Sequence, residues 1–141
     1  MNTRNLEDIE RLEKIEEIIL ELQELGDNGA IMVVEGKKDL DSLRFLGVKG
    51  DIVLASQRPL LEFTYLLSKT GKEIIILTDW DKKGGIIARK IIQHLLAYGI
   101  MPNIEIRGRI RALVKKKIKD IESLNNYINR QRYEIHGITG F

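Results

Sequence analysis

Two aspartates, Asp79 and Asp81, stand one residue apart directly after a short apolar run and directly before two lysines and two glycines. Glu35 holds the corresponding place after a second apolar run and is followed by Gly36. If these runs form neighbouring strands, the carboxylates lie within a few ångströms of one another. Like charges about 4 Å apart repel by several kcal/mol at an intermediate dielectric constant. We therefore expect at least one carboxyl pKa to rise, and a bound cation to remove the repulsion.

The types of these side chains favour a hard divalent cation. Carboxylates without cysteine or a nearby histidine suit Mg²⁺ or Mn²⁺, and Mg²⁺ usually takes one or two carboxylates plus waters and phosphate oxygens. We assign Asp79 and Asp81 as metal ligands, and Glu35 as a further ligand or the general base that activates water. Gly84 and Gly85 are expected to precede a helix and leave its N-terminal amides open to phosphate. Basic residues near the expected strand ends would hold the polyanion, namely Lys37, Lys38, Arg58, Lys82, Lys83, Arg107 and Arg109.

The rest of the sequence predicts a scaffold that brings these residues together. Apolar residues recurring every three or four positions predict an amphipathic helix over about residues 5–25. Strands then alternate with helices, and the strands are apolar throughout, which indicates an α/β fold with a mainly parallel, four-stranded sheet flanked by helices on both faces. Ligands of such sheets bind at the carboxyl ends of the strands. The strands are predicted at about residues 30–34, 51–55, 72–78 and 103–106.

Composition and charge narrow the class of protein. The 141 residues, 43% of them hydrophobic, fit a single domain, and the absence of cysteine excludes disulfides, thiolate zinc sites and a cysteine nucleophile. No apolar run is long enough for a membrane span and the N-terminus is acidic, so we expect a cytoplasmic protein without a membrane partner. Residues 107–119 carry seven basic side chains and no acidic one, which is typical of a patch that binds polyanions.

The two motifs together resemble a known family. "VVEGKKD", which contains Glu35 and Gly36, and "ILTDWDKKGG", which contains Asp79 and Asp81, are similar to the Toprim domain of bacterial primases, topoisomerases and several nucleases. The resemblance covers about residues 28–108, between an N-terminal helix at 1–27 and a basic segment with a C-terminal helix, 109–141, packed on the same domain. It implies a three-layer, Rossmann-like Toprim fold, a glutamate in acid/base chemistry and aspartates that bind Mg²⁺.

The resemblance implies chemistry on nucleic acids and leaves several functions open. The chain has no room for a topoisomerase's separate tyrosine domain or a primase's zinc-binding region, so it resembles stand-alone Toprim proteins, such as ribosomal-RNA maturation nucleases and small archaeal-type proteins. We expect a Mg²⁺-dependent nuclease that acts on RNA or DNA, either alone, as a homo-oligomer or in a larger complex. The alternatives are a non-catalytic nucleic-acid-binding module of a repair or RNA-processing complex, and nucleotidyl transfer of the primase kind.

Two other interpretations apply to the aspartates alone. An Asp-x-Asp after a strand also occurs in haloacid-dehalogenase phosphatases, but a threonine or valine follows there, whereas Lys82-Lys83-Gly84 follows here. The acids could also merely cap a helix and pair with neighbouring lysines. The sequence offers no role for Trp80, which separates the two aspartates.

Overall fold

The computed structural model describes residues 3–137, with side chains described from residue 6 onward. The ends of the predicted N-terminal and C-terminal segments, residues 1–2 and 138–141, lie outside the described residues. Within that range the structure has three strands, β1 (Ile31–Val34), β2 (Asp51–Leu54) and β3 (Ile74–Ile76). The helices are α1 (Thr3–Asp27), α2 (Lys37–Phe45), α3 (Leu60–Ser68), α4 (Lys82–Ala97), α5 (Glu105–Val114) and α6 (Leu124–His136).

The sheet is parallel, and its order is β2-β1-β3. The central strand β1 pairs with β2 in the register Ile31 to Asp51, and with β3 in the register Ile31 to Ile74. Every connection therefore crosses over through a helix, as parallel pairing requires. The carboxyl ends of β1 and β3, which precede the acidic motifs, consequently lie side by side at one edge of the sheet.

Two apolar clusters cover the two faces of the sheet and give the fold its three layers. On one face, Met32 and Val34 pack with residues of α1, α2, α5 and α6. On the other face, Ile31 and Val33 pack with residues of α3 and α4. All four residues of β1 are buried, which explains why that strand is continuously apolar rather than alternating. The prediction of an α/β sheet covered by helices is confirmed.

The predicted fourth strand, residues 103–106, is wrong. Asn103 forms only an isolated bridge to Ile75, and its side-chain Oδ1 then accepts hydrogen bonds from the backbone amides of Glu105 and Ile106. This cap starts helix α5 because Asx side chains satisfy the free amides of a first helical turn. The buried residues Ile106, Ile110 and Val114 recur every four positions, which is the period of a helix with one buried face rather than of a strand.

Helix α4 begins four residues before its predicted start. Asp81 is its N-cap, and the Oδ1 atom of Asp81 accepts a hydrogen bond from the amide of Gly84 at 2.7 Å. Gly84 therefore lies inside the first turn rather than ahead of the helix. A Cβ on Gly84 would collide with the backbone carbonyl of Asp79, so this glycine lets the helix approach the end of β3 closely.

The C-terminal end of α1 makes a similarly close backbone contact. Gly26 is buried against the turn before β2, where a Cβ would collide with the carbonyl oxygen of Lys49. Gly50 lies opposite with a φ of 86°, and a Cβ there would meet the carbonyl oxygen of Gly26 at 2.6 Å. The long helix is thus docked on the sheet through two glycines. Within residues 3–137, no helix has both the length and the apolar character needed to cross a membrane.

This contact predicts opposite effects for two glycine-to-alanine substitutions. Gly26→Ala should lower the free energy of unfolding by about 2 kcal/mol, because the added methyl group displaces the Lys49 backbone. Gly108→Ala, in α5 with open space around the position, should raise it by roughly 0.5–1 kcal/mol through helix propensity. Urea unfolding of both variants measures the difference. A Gly26→Ala variant as stable as the parent would contradict the close contact.

Candidate metal centre

Glu35 and Asp79 meet across the two neighbouring strands. Glu35 directly follows β1, and Asp79 lies three residues beyond the end of β3. The backbone amide of Asp79 donates a hydrogen bond of 2.8 Å to the Oε2 atom of Glu35. Parallel strands bring their carboxyl ends to one edge, so a separation of 44 residues in sequence becomes a direct contact.

This proximity changes the proton affinity of Asp79. Burial of the carboxyl group, and next its hydrogen bond with Glu35, raise the pKa of Asp79 to about 8, although the amide of Ile121 works in the opposite direction. The negative charges of Asp39 and Glu35 add to the increase. The expectation that at least one carboxyl pKa would rise is therefore confirmed. A pair of acids that cannot both ionise easily near neutral pH is a favourable place for a cation.

Asp39 belongs to the same acidic cluster, and the sequence-based prediction missed it. Its side chain is only 6% exposed, and burial raises its pKa. One carboxylate oxygen accepts the amide of Gly36 at the start of α2, and the other accepts the amide of Glu122, each at 3.0 Å. The available signal was its position three residues after the N-cap, where an acidic side chain often reaches back to the capping residue.

A segment before α6, residues 118–122, closes one side of the site and explains Trp80. The indole Nε1 of Trp80 donates to the carbonyl of Ile118 at 2.8 Å, and its backbone amide donates to the carbonyl of Lys119 at 3.1 Å. The amide of Ile121 donates in turn to Oδ1 of Asp79 at 3.0 Å. Trp80 is 9% exposed and packs in the larger apolar cluster. It therefore holds the segment whose amides contact the site carboxylates.

Arg107 contributes to this edge from a helix rather than from a strand end. Its guanidinium donates to the backbone carbonyls of Thr78 at 2.8 Å and Asp79 at 2.6 Å. Burial and the charge of Arg111 lower the pKa of Arg107, and the carboxylates of Asp79, Glu35 and Asp81 act against that change. Arg107 thus supports the loop that carries the aspartates, a role different from its predicted contact with the polyanion.

The other predicted polyanion-binding residues divide into paired and free bases. Four of them form ion pairs, Lys37 with Asp41, Lys38 with Glu122, Arg58 with Glu62 and Arg109 with Glu21. The Arg109 pair lies on α5, away from the predicted strand end. Among the side chains that the structure describes, no carboxylate lies within 4.0 Å of Lys82 or Lys83. These two exposed lysines in the first turn of α4 are the bases best placed to bind an anion.

A cavity of about 540 Å³ opens beside the acidic cluster. Glu35 and Asp39 line it together with Lys83, and Leu60 and Ile87 add apolar surface. Because the cavity touches both the carboxylates and a free lysine, a phosphate group placed in it would contact positive charge on one side and the acidic cluster on the other.

The donor set fits a hard dication even though it is not a preset cage. In the described part of the chain, no three acidic or histidine side chains are already spaced to ligate one ion. Mg²⁺ needs only one or two carboxylates, with water and phosphate completing its shell. The carboxylates of Glu35, Asp39 and Asp79 offer oxygen ligands only, and burial together with the charges of Glu35 and Asp39 raises the pKa of Asp79. Asp81, the other predicted ligand, instead uses its Oδ1 atom to cap α4.

The fold and the acidic edge define a class of protein. The sequence profile of the Toprim domain matches residues 30–136, a range that includes both acidic motifs as well as α5 and α6. The chain therefore belongs to the Toprim domain family. Toprim domains in general take part in metal-dependent processing of nucleic acids and bind a divalent metal, usually Mg²⁺. The predicted membership is confirmed.

Within that family, the chain is similar to archaeal proteins named UPF0292. It is 44% identical over 122 residues to a UPF0292 protein of Methanosarcina acetivorans, which covers 86% of this chain and 85% of the relative. It is 38% identical over 125 residues to one of Methanocaldococcus jannaschii, which covers 88% and 97%. A solved structure of a protein from Aquifex aeolicus superposes with a TM-score of 0.65 at 26% identity, covering 76% of this chain and 94% of that one.

The raised pKa of Asp79 predicts that the metal-free protein loses stability as pH rises. Below the ordinary value of 3.8 the carboxyl is protonated in both states, and this contribution to stability is fully present. Between 3.8 and about 8 only the unfolded chain releases the proton, so the contribution is lost progressively. The asparagine of Asp79→Asn resembles the protonated carboxyl, so the variant should lack this part of the pH dependence. At pH 8.5 its free energy of unfolding should exceed that of the parent by roughly 2 kcal/mol.

Urea unfolding at pH 5 and pH 8.5 in the presence of a chelator measures this effect. Addition of excess Mg²⁺ at pH 8.5 should stabilise the parent and leave Asp79→Asn nearly unchanged, because only the parent regains a charge partner. A parent protein whose stability is the same at both pH values would show that the carboxyl is not held in its protonated form.

Proposed function

We propose that this chain is a Mg²⁺-dependent Toprim protein that cleaves phosphodiester bonds in RNA or DNA. The observation that carries the proposal is the contact between Glu35 and Asp79 at the carboxyl edge of the sheet, beside Lys82 and Lys83, which pair with no carboxylate among the described side chains. An acidic pair alone would repel a nucleic acid. Carboxylates that can bind a metal ion, next to lysines that can bind a phosphate, suit a phosphodiester that contacts both the metal and the lysines.

Each residue of the cluster has a distinct part in this proposal. Asp79 and Asp81 would hold the ion, and Glu35 would bind it or accept a proton from the attacking water, since its Oε2 lies beside the Asp79 loop. A bound Mg²⁺ would polarise a phosphoryl oxygen and stabilise the leaving oxygen. Asp39 is a positioning residue, because both of its oxygens accept backbone amides.

The phosphate would be held by Lys82 and Lys83 at the start of α4. Both are exposed, and the helix N-terminus adds a partial positive charge at the same place. Three further bases would contact the phosphates as the nucleic acid binds, namely Lys37, Lys38 and Arg58. Their exposed ion pairs contribute only up to about 1 kcal/mol and therefore open easily. A cytoplasmic location and an assembly with other chains remain predictions.

Asp79→Asn is the direct test of catalysis. The variant should fold, since asparagine resembles the protonated carboxyl, and should cleave labelled RNA or DNA at least about 10²-fold more slowly than the parent in Mg²⁺. Asp51→Asn is the matched control, because Asp51 lies at the opposite edge of the sheet and pairs with Lys72. If Asp79→Asn cleaves as fast as the parent, the proposed site is wrong.

The same assay separates the alternative functions. A panel of labelled single strands, duplexes and nucleotides is incubated with Mg²⁺, Mn²⁺ or chelator. Metal-dependent strand scission supports a nuclease, incorporation of nucleotides on a template indicates nucleotidyl transfer, and salt-sensitive binding without either product indicates a non-catalytic module.

The free lysines make a second prediction about salt dependence. Replacing both Lys82 and Lys83 with alanine should reduce the slope of log affinity against log salt by about 1.4–1.8, the loss of two phosphate contacts. The control replaces Lys69 and Lys72, which lie at the amino edge of the sheet, and should leave the slope nearly unchanged. Fluorescence anisotropy with a labelled oligonucleotide at several salt concentrations measures both. Equal slopes for the two double variants would remove Lys82 and Lys83 from the anion site.

A further inference from the structure

Phe45, the last residue of α2, has an aromatic ring that lies on the surface and does not pack in either apolar cluster. Its side chain is 78% exposed, whereas Phe63 is buried in the cluster beneath α3 and α4. Phe45 lies seven residues after Lys38 and three after Ser42, so these side chains share one side of the helix. Because the ring is not buried, it contributes little to the stability of the core and is accessible to a ligand.

Phe45 lines a second cavity that adjoins the one at the metal centre. This cavity has a volume of about 220 Å³ and is also lined by Asn125 and Asn126 at the start of α6, and by Asp41, whose charge is paired with Lys37. Lys38 and Glu122 line both cavities, and they form an ion pair of 3.9 Å between side chains that are 80% and 52% exposed. Because the two cavities share these lining residues, they adjoin each other and lead as one path from the acidic cluster to the aromatic ring.

The chemistry of this path matches an unpaired nucleic-acid strand. An aromatic ring offers a stacking surface to any base, side-chain amides can hydrogen-bond to the edge of a base, and Lys38 can contact the phosphates between. A duplex keeps its bases stacked and paired, so none is free to lie on Phe45. The length also fits: the seven residues from Lys38 to Phe45 span about 10 Å, a distance that a few nucleotides of a single strand cover.

We propose that Phe45, Asn125 and Asn126, here termed the Phe45 platform, bind an unstacked base of a single-stranded nucleic acid. The strand runs from the platform past Lys38 to the acidic edge, where its phosphodiester lies. This proposal rests on the proposed function, since it assumes that the edge receives a phosphodiester, and it adds that the substrate is single stranded or has an unpaired end.

The experiment compares binding of single strands and duplexes by the full chain. A fluorescein-labelled oligonucleotide of twelve nucleotides and its duplex are titrated with the Asp79→Asn protein in chelator, so that no cleavage occurs. Adding Phe45→Ala to the Asp79→Asn protein should weaken single-strand binding about tenfold or more, because the stacking contact between a base and the aromatic ring is lost. Duplex binding should stay unchanged. Phe45→Trp should restore single-strand binding, since it keeps the stacking surface.

Tyr133→Ala is the matched control. Tyr133 is also an exposed aromatic residue, at 60%, but it lies in the C-terminal half of α6, away from Asn125 and Asn126. Three outcomes would overturn the proposal. These are equal single-strand affinity for Phe45→Ala and Tyr133→Ala, an equal loss for single strands and duplexes, or unchanged binding with a smaller molecular mass in light scattering, which would make Phe45 a contact between copies. Absence of cleavage by the parent would instead count against the proposed function, and the binding result would stand separately.

Discussion

The contact between Glu35 and Asp79 is the constraint on which the rest of the molecule depends. Two acidic groups on neighbouring parallel strands are brought to one edge and partly buried, and the cost appears as a pKa of about 8 for Asp79. A fold under selection for stability alone would place apolar or oppositely charged residues there. The surrounding structure instead supplies backbone amides to the carboxylates of Asp79 and Asp39, while Arg107 binds the backbone carbonyls of the loop.

Those donors come from a part of the chain far from the strands. The amides of Ile121 and Glu122 reach Asp79 and Asp39, and Trp80 fixes the preceding residues through two further hydrogen bonds. The C-terminal helices are therefore part of the site, which agrees with a Toprim match that extends to residue 136. The same connection places the backbone of Lys119 next to the acidic edge, because its carbonyl accepts the amide of Trp80.

The sequence predicted the features that depend on local pattern and missed those that depend on tertiary contacts. The parallel sheet and the meeting of Glu35 with Asp79 follow from apolar runs that end in acids. The predicted fourth strand was wrong because Asn103 both bridges to β3 and caps a helix, and a stretch of four residues cannot distinguish these roles. Asp39 and Trp80 were not assigned because their partners lie 83 and 38 residues away.

Helix α2 connects the acidic edge to the exposed aromatic ring and determines the distance between them. Asp39 joins its first turn to the amide of Glu122, and the hydroxyl of Ser42 accepts the amide of Asn125, so α2 is attached to the start of α6 at two points one turn apart. A helix held in this way does not slide or rotate easily against its neighbour. The spacing between the acidic edge and Phe45 is therefore fixed by the fold rather than by a mobile loop, which would suit the proposed Phe45 platform.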